Sequence, residues 1–215
     1  MIRAVVFDFD GTLVDSPAIK EQAFAEVALS VSGGEAAMER VRNDGQPQDR
    51  HAVFRRFADI LAADNAVAEP AVWGRALAER YSDLCEQRIS TCPDCPGAPE
   101  VLSALGEEGY LLYLNSATPA EALRPILERR GLTAAFHDVF GIPPTKEENL
   151  RRILAAAGAK PDEVVVVGDG ADDAASARAL GCHYLGAGCG QDGFQIRDLR
   201  EIPKAIRELD ETAHA

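Results

Sequence analysis

Val5-Val6-Phe7-Asp8-Phe9-Asp10-Gly11-Thr12-Leu13 is an apolar run that stops abruptly at two carboxylates and a turn. Burying such a run together with unpaired charges is strongly unfavourable, so the pair is expected at a strand's mouth with a cation nearby. Side chains two apart on a strand share a face, which points Asp8 and Asp10 the same way unless the chain bends between them. Gly11 supplies the freedom to turn, and Thr12 is a candidate cap for the next element of the chain. The stretch therefore reads as a strand over residues 3–9 that delivers two acids to a site.

Further strand-like runs fall at residues 110–114, 137–140, 164–167 and 182–185. Residues 164–167 are all valine, as expected for a strand covered on both faces. Helical stripes alternate with these runs. Ala122, Leu123, Ile126 and Leu127 stop at Gly131; Leu150, Ile153, Leu154 and Ala157 stop at Gly158; Ala174, Ala177 and Leu180 stop at Gly181. The alternation predicts an α/β fold with a parallel sheet wrapped by helices.

Between the first two strands lies a long stretch without strand signal. Ser16-Pro17 reads as a helix cap followed by proline at the first helical position, and Ile19, Phe24, Val27 and Val31 continue the helix. Val53, Phe54, Phe57, Ile60 and Leu61 mark a second helix, and Trp73, Leu77, Tyr81 and Leu84 a third. This is too much helix for a simple crossover. It predicts an all-helical domain over residues 16–94, inserted into a core made of residues 1–15 and 95–215, with Pro93, Pro96 and Pro99 at the return hinge. Trp73, Phe54 and Phe57 are expected inside the inserted domain and residues 201–215 as a terminal amphipathic helix; Lys20 and Arg50 are read first as surface ion-pair residues, with contact to a ligand in the cleft as the alternative.

The 215 residues, 47% hydrophobic and 27% charged, suit a globular protein with a sizeable core. A formal charge of −13 argues against nucleic acid or an anionic membrane as partner, and no apolar run is long enough to span a bilayer. An anionic small molecule would need local positive charge. The amino terminus enters its first strand without a targeting pattern, so the expected location is cytoplasmic and the five cysteines are expected as reduced thiols. Cys92-Pro93-Asp94-Cys95 has redox or zinc spacing, but it lacks two further ligands and reads as linker.

Four polar clusters fall at or beyond the carboxyl ends of strands, the edge where open parallel sheets bind ligands. They are Asp8 with Asp10; Asn115-Ser116-Ala117-Thr118; Pro143-Pro144-Thr145-Lys146; and Asp169 with Asp172 and Asp173. Thr145 and Glu148 form a capping-box pattern that puts Lys146 at the first helical position. A cation there opposes the helix dipole, an arrangement that a bound anion would favour.

These clusters, in this order, resemble the haloacid dehalogenase-like superfamily of phosphatases and mutases, nearest its phosphoglycolate-phosphatase-like branch with an α-helical cap. The resemblance is carried by Asp8-Phe9-Asp10-Gly11-Thr12, the Ser116 turn, Lys146, and Gly168-Asp169-Gly170-Ala171-Asp172-Asp173. It implies a Rossmann-like three-layer core and hydrolysis of a small phosphorylated metabolite. By that resemblance Asp8 is the nucleophile and Asp10 the acid and base, while Ser116 and Lys146 hold the phosphoryl group. Mg²⁺ is bound by Asp8, the Asp10 carbonyl and Asp169, and Asp173 supports it or Lys146. Thr118 stands close behind Ser116 as an alternative hydroxyl, and Asp172 competes with Asp173 for the supporting role. A phosphomutase of the same fold is the alternative enzyme, and a regulatory binding protein the alternative outside catalysis.

Overall fold

The computed structural model describes residues 1–46, 49–64, 66–189 and 194–212. The apolar run forms β1 (Ala4–Phe7), buried throughout. The valines form β4 (Val164–Gly168), also buried throughout, and the two pair in parallel with Phe7 opposite Val167. With β2 (Leu111–Pro119), β3 (Asp138–Ile142) and β5 (His183–Gly186) they make a parallel sheet ordered β3-β2-β1-β4-β5. The order reverses at β1. The carboxyl ends beside β1 therefore open the crevice where α/β sheets bind ligands.

Around this sheet lie α5 (Ala98–Glu107), α6 (Ala120–Arg129), α7 (Lys146–Ala157), α8 (Ala171–Leu180) and α9 (Ile202–Thr212). Leu150 and Ile153 of α7 and Ala177 of α8 pack on Ala4, Val6, Val164 and Val166, which share one sheet face by strand alternation. The result is a Rossmann-like α/β fold. Sequence periodicity missed α5, although its buried Val101, Leu102 and Leu105 have helical spacing. The terminal helix expected over 201–215 is α9; residues 213–215 lie outside the described set.

Strand β2 runs further than expected. Asn115 and Ser116 lie within it rather than in a turn, because β3 continues alongside and pairs Asn115 with Phe140 and, after a register shift, Pro119 with Ile142. Gly141 permits the close approach: a Cβ there would lie 2.6 Å from the Thr118 carbonyl oxygen.

The chain divides into two compact units, Met1–Pro17 with Ile89–Ala215, and Ala18–Arg88. The second is built from α1 (Pro17–Leu29), α2 (Gly34–Arg42), α3 (Arg50–Ala63) and α4 (Pro70–Ile89). Its interior is aromatic: Phe24 lies 4.1 Å from Tyr81 and 5.4 Å from Phe54 between ring centroids, and Phe57 meets Phe54 edge-on. Helix α2 was not anticipated; it buries Ala37, Met38 and Val41. Trp73 was expected inside this unit and is instead 40% exposed. Its neighbour Gly74 makes the close approach to α3, where a Cβ would lie 3.1 Å from the Phe54 carbonyl oxygen, so the wide indole is turned aside.

The reduced-thiol expectation is corrected for two of the five cysteines. Cys95 and Cys189 form a disulfide across 94 residues of sequence, because the fold brings the segment after β5 beside the return from α4; Cys85, Cys92 and Cys182 are free thiols. No described helix is long and apolar enough to cross a membrane.

Candidate active site

Asp8 follows β1 directly, and its backbone N–H donates to the Val167 carbonyl at 2.8 Å, so it continues the sheet by one residue. The residue is buried, with its side chain 5% exposed. The chain then turns back on itself: Gly11 N–H donates to Val14 O, Leu13 N–H to Phe9 O, and Gly11 adopts φ +83°. A side chain on Gly11 would occupy the place of the Asp169 carboxylate, so this glycine gives both the turn and the space. Thr12 caps no helix; its hydroxyl faces the Ala187 carbonyl at 3.5 Å.

Helix α7 begins at Lys146 with the anticipated box: the Thr145 hydroxyl accepts from Glu148 N–H, and the Glu148 carboxylate accepts from Thr145 N–H. The Lys146 side chain is buried, and its Nζ lies 2.8 Å from Asp8 Oδ1, 2.8 Å from Asp173 Oδ1 and 3.3 Å from Asp172 Oδ2. Asp173, in the first turn of α8, also accepts from Gly170 N–H at 3.2 Å. Asp169, at the end of β4, is half-buried. Oxygens of Asp8, Asp169 and Asp173 all lie within 4.8 Å of one another.

Asp10 takes a different set of partners. The Ser16 hydroxyl donates to its Oδ1 and the Thr118 hydroxyl to its Oδ2, each at 2.6 Å. Ser116 is fully buried in β2, where its Oγ accepts from Thr118 N–H at 3.0 Å. The structure thus gathers Asp8, Lys146, Asp169 and Asp173 into one cluster, and links Asp10 and Ser116 through Thr118. Asp172 reaches Lys146 but is exposed.

The electrostatics follow from burial. Burial pushes the Asp8 carboxyl up to about 8, against the pull of Lys146 and with added repulsion from Asp173 and Asp10. Burial likewise pushes Asp173 up to about 6, again opposed by Lys146, and raises Asp169. Burial alone would pull the Lys146 ammonium down, but Asp8 and Asp173 outweigh it and hold it above the usual lysine range. Three carboxylates thus share one ammonium, which leaves negative charge in excess. An all-oxygen carboxylate set with surplus negative charge fits a hard divalent cation such as Mg²⁺.

Three contacts escaped sequence reading. Ser16 looked like a helix cap but spends its hydroxyl on Asp10. Thr118 looked like a spare phosphate ligand and instead holds the other Asp10 oxygen. Asn115 Nδ2 donates to the Lys146 backbone carbonyl at 2.9 Å and pins the start of α7 to β2. An amide at the end of an apolar strand was the one signal that could have flagged it.

A sequence profile described as haloacid dehalogenase-like hydrolase matches residues 2–181. The chain belongs to the haloacid dehalogenase-like hydrolase family. It is 30% identical to a phosphoglycolate phosphatase of Rhodospirillum rubrum over 190 residues, covering 84% of this chain and 77% of that protein. Among solved structures it is similar to a predicted phosphoglycolate phosphatase from Haemophilus somnus, with TM-score 0.73 and 20% identity over 95% of this chain and 98% of that one. It is also similar to a β-phosphoglucomutase from Clostridium difficile, with TM-score 0.70 and 16% identity over the full length of both. At such identities the solved structures show a shared fold alone.

Proposed function

We propose that this hydrolase is a Mg²⁺-dependent phosphatase acting on a small phosphomonoester through an aspartyl-phosphate on Asp8. The observation that carries the reading is the contrast between the two acids: Asp8 lies 2.8 Å from the Lys146 ammonium, while Asp10, two residues on, is held by two hydroxyls. A nucleophile must meet an anionic phosphoryl group, and an ammonium beside it lowers the repulsion. An acid and base must exchange a proton, and hydroxyl partners can donate or accept as its state changes.

Asp8 attacks phosphorus and the alcohol departs; Asp10 protonates the departing oxygen, then takes a proton from the water that cleaves the acyl phosphate. Lys146 and Ser116 hold the phosphoryl oxygens, and Asp173 orients Lys146 through its 2.8 Å contact. Asp8, the Asp10 carbonyl and Asp169 would hold Mg²⁺, which supplies charge neutralisation between these carboxylates and a phosphate dianion. The core chemistry suits any phosphomonoester. The names of the sequence relatives make phosphoglycolate the first substrate to test.

Turnover of p-nitrophenyl phosphate, with Mg²⁺ and after chelation, tests the reading in the parent and in Asp8→Asn. Expected is activity in the metal-loaded parent alone; equal rates in parent and variant would reject the mechanism. A screen of phosphorylated metabolites then names the substrate, and isomerised sugar phosphate in place of free phosphate would make it a mutase.

A further inference from the structure

We propose that Cys95 and Cys189 are a thiol–disulfide site that sets how firmly the chain holds Asp169, and so how tightly it binds Mg²⁺; the catalytic consequence rests on the phosphatase reading above. The bond lies directly behind the turn that follows Asp10. The two sulfurs stand 3.5 and 3.6 Å from the Gly11 carbonyl oxygen, and Cys189 N–H donates to that same oxygen at 3.0 Å. Cys95 N–H donates to Leu13 O at 2.9 Å, and Asp94 bridges to Val14. The disulfide therefore joins two segments of chain that are each hydrogen-bonded to this one turn.

Asp169 is what lies in the gap. A side chain on Gly11 would strike its carboxylate, and a Cβ on Gly188 would lie 2.8 Å from its Cβ and 3.0 Å from Gly11 O. The residue beside Gly188 carries the crosslink and Cys95 is hydrogen-bonded to Leu13 of the turn, so the covalent bond restrains the spacing of the two glycines that enclose this acid. Without it, the Cys189 segment is held to this turn by non-covalent ties: the Cys189 N–H to Gly11 O bond, the 3.5 Å Thr12 hydroxyl contact with Ala187 O, and weak thiol donors.

The Cys92-x-x-Cys95 spacing is a decoy. The Cys92 thiol is buried, donates to Ile89 O at 3.4 Å and lies 3.7 Å from an Arg130 nitrogen, and burial pushes it up, away from the reactive thiolate. Of the bonded pair, Cys95 is 2% exposed while Cys189 is partly exposed. Reduction thus begins at Cys189. A thiolate of a dithiol reductant attacks Cys189 Sγ, a mixed disulfide forms, and Cys95 leaves as a thiolate that takes up a proton. The reductant's second thiol then displaces Cys189, so two electrons pass to the cysteines and the reductant becomes a cyclic disulfide. A small-molecule disulfide oxidant reverses the exchange.

The full-length protein is equilibrated in glutathione or dithiothreitol buffers, its bridges are mapped by differential alkylation and mass spectrometry, and Mg²⁺ binding is titrated by calorimetry. Expected are a Cys95–Cys189 bridge in the oxidised form and Mg²⁺ affinity about tenfold weaker after reduction, as for changes just outside a metal's ligands. Cys95→Ser and Cys189→Ser should bind at the reduced value in either buffer, while Cys92→Ser should switch like the parent. Free Cys95 and Cys189 across the redox range, a bridge through Cys92, equal Mg²⁺ affinity in both forms, or no Mg²⁺ binding would each overturn the proposal. The parent's own redox titration decides even if a variant fails to fold. Neither readout requires turnover, so loss of the phosphatase reading and loss of this one are distinguishable.

Discussion

Beside the carboxyl ends of β1 and β4 the buried side chains include charged ones; inside Ala18–Arg88 the buried residues are apolar, among them Phe54, Leu61, Met38 and Cys85. Among the described residues, every buried polar or charged side chain, from Asp8 and Ser16 to Lys146 and Asp173, lies outside that helical unit. Most ion pairs of the helical unit are well exposed, as Arg42 with Glu21 and Arg40 with Asp64, and its more covered pair, Arg56 with Asp44, keeps both residues partly exposed. Packing alone accounts for the helical unit. It does not account for a lysine buried against two acids, because well-packed apolar residues would serve stability as well or better. The difference marks where the sequence has been shaped by chemistry and where by folding.

Lys146→Met gives the largest expected effect, because it strikes both. Removing the ammonium leaves Asp8 and Asp173 buried without their shared partner, a loss of about 3–5 kcal/mol in chemical denaturation. Turnover of whatever folds should fall by about 10²–10³ if Lys146 is the phosphoryl-oxygen donor proposed above. Full activity in that variant would break the assignment of the buried charges to catalysis. Asp10→Asn sharpens it: the amide still bonds to Ser16 and Thr118, so stability should hold while turnover falls by about 10²–10⁴. Substrates with good leaving groups should lose less, since they need less protonation. A uniform loss across leaving groups would remove Asp10 from the acid role.

Much of this division could be read from the chain. The strand mouths were legible because burial makes an apolar run ending in Asp8 and Asp10, or in Gly168-Asp169, unstable without a purpose. The Thr145–Glu148 box was legible because its partners are three residues apart. Partnerships across long separations were not. Nothing local says that Thr118 serves Asp10 across 108 residues, that Asn115 serves the Lys146 carbonyl across 31, or that Cys189 finds Cys95. Helix α2 was missed because Ala37, Met38 and Val41 carry too little apolar bulk to stand out, and Trp73 was misplaced because composition ignores which neighbour a glycine lets in.

Within the helical unit the effects should be confined to stability. Phe54 is fully buried, stacks with Phe24, meets Phe57 edge-on and lies tilted against Tyr81. Phe54→Ala should lower stability by about 3–5 kcal/mol through the cavity it leaves, while the folded fraction turns over p-nitrophenyl phosphate at the parent rate. A fall in specific activity per folded molecule would show that this packing also sets the chemistry.

Arg42 should matter least, and the reason separates two weak forces. Its guanidinium pairs with Glu21 at 2.6 Å and lies 5.5 Å from the centre of the Phe24 ring. Both ionic side chains are well exposed, 40% for Arg42 and 66% for Glu21, so the ion pair itself contributes about 0.2–1 kcal/mol at most. The ring contact adds about 0.5–1 kcal/mol at an exposed site. Glu21→Ala removes only the first and should be nearly silent at high salt, whereas Arg42→Ala removes both and should keep a residual loss that salt does not erase. If the two variants respond to salt alike, the ring contact contributes nothing. If either approaches the loss expected for Phe54→Ala, surface charge is holding this unit together, and the contrast with the buried charges of the core no longer stands.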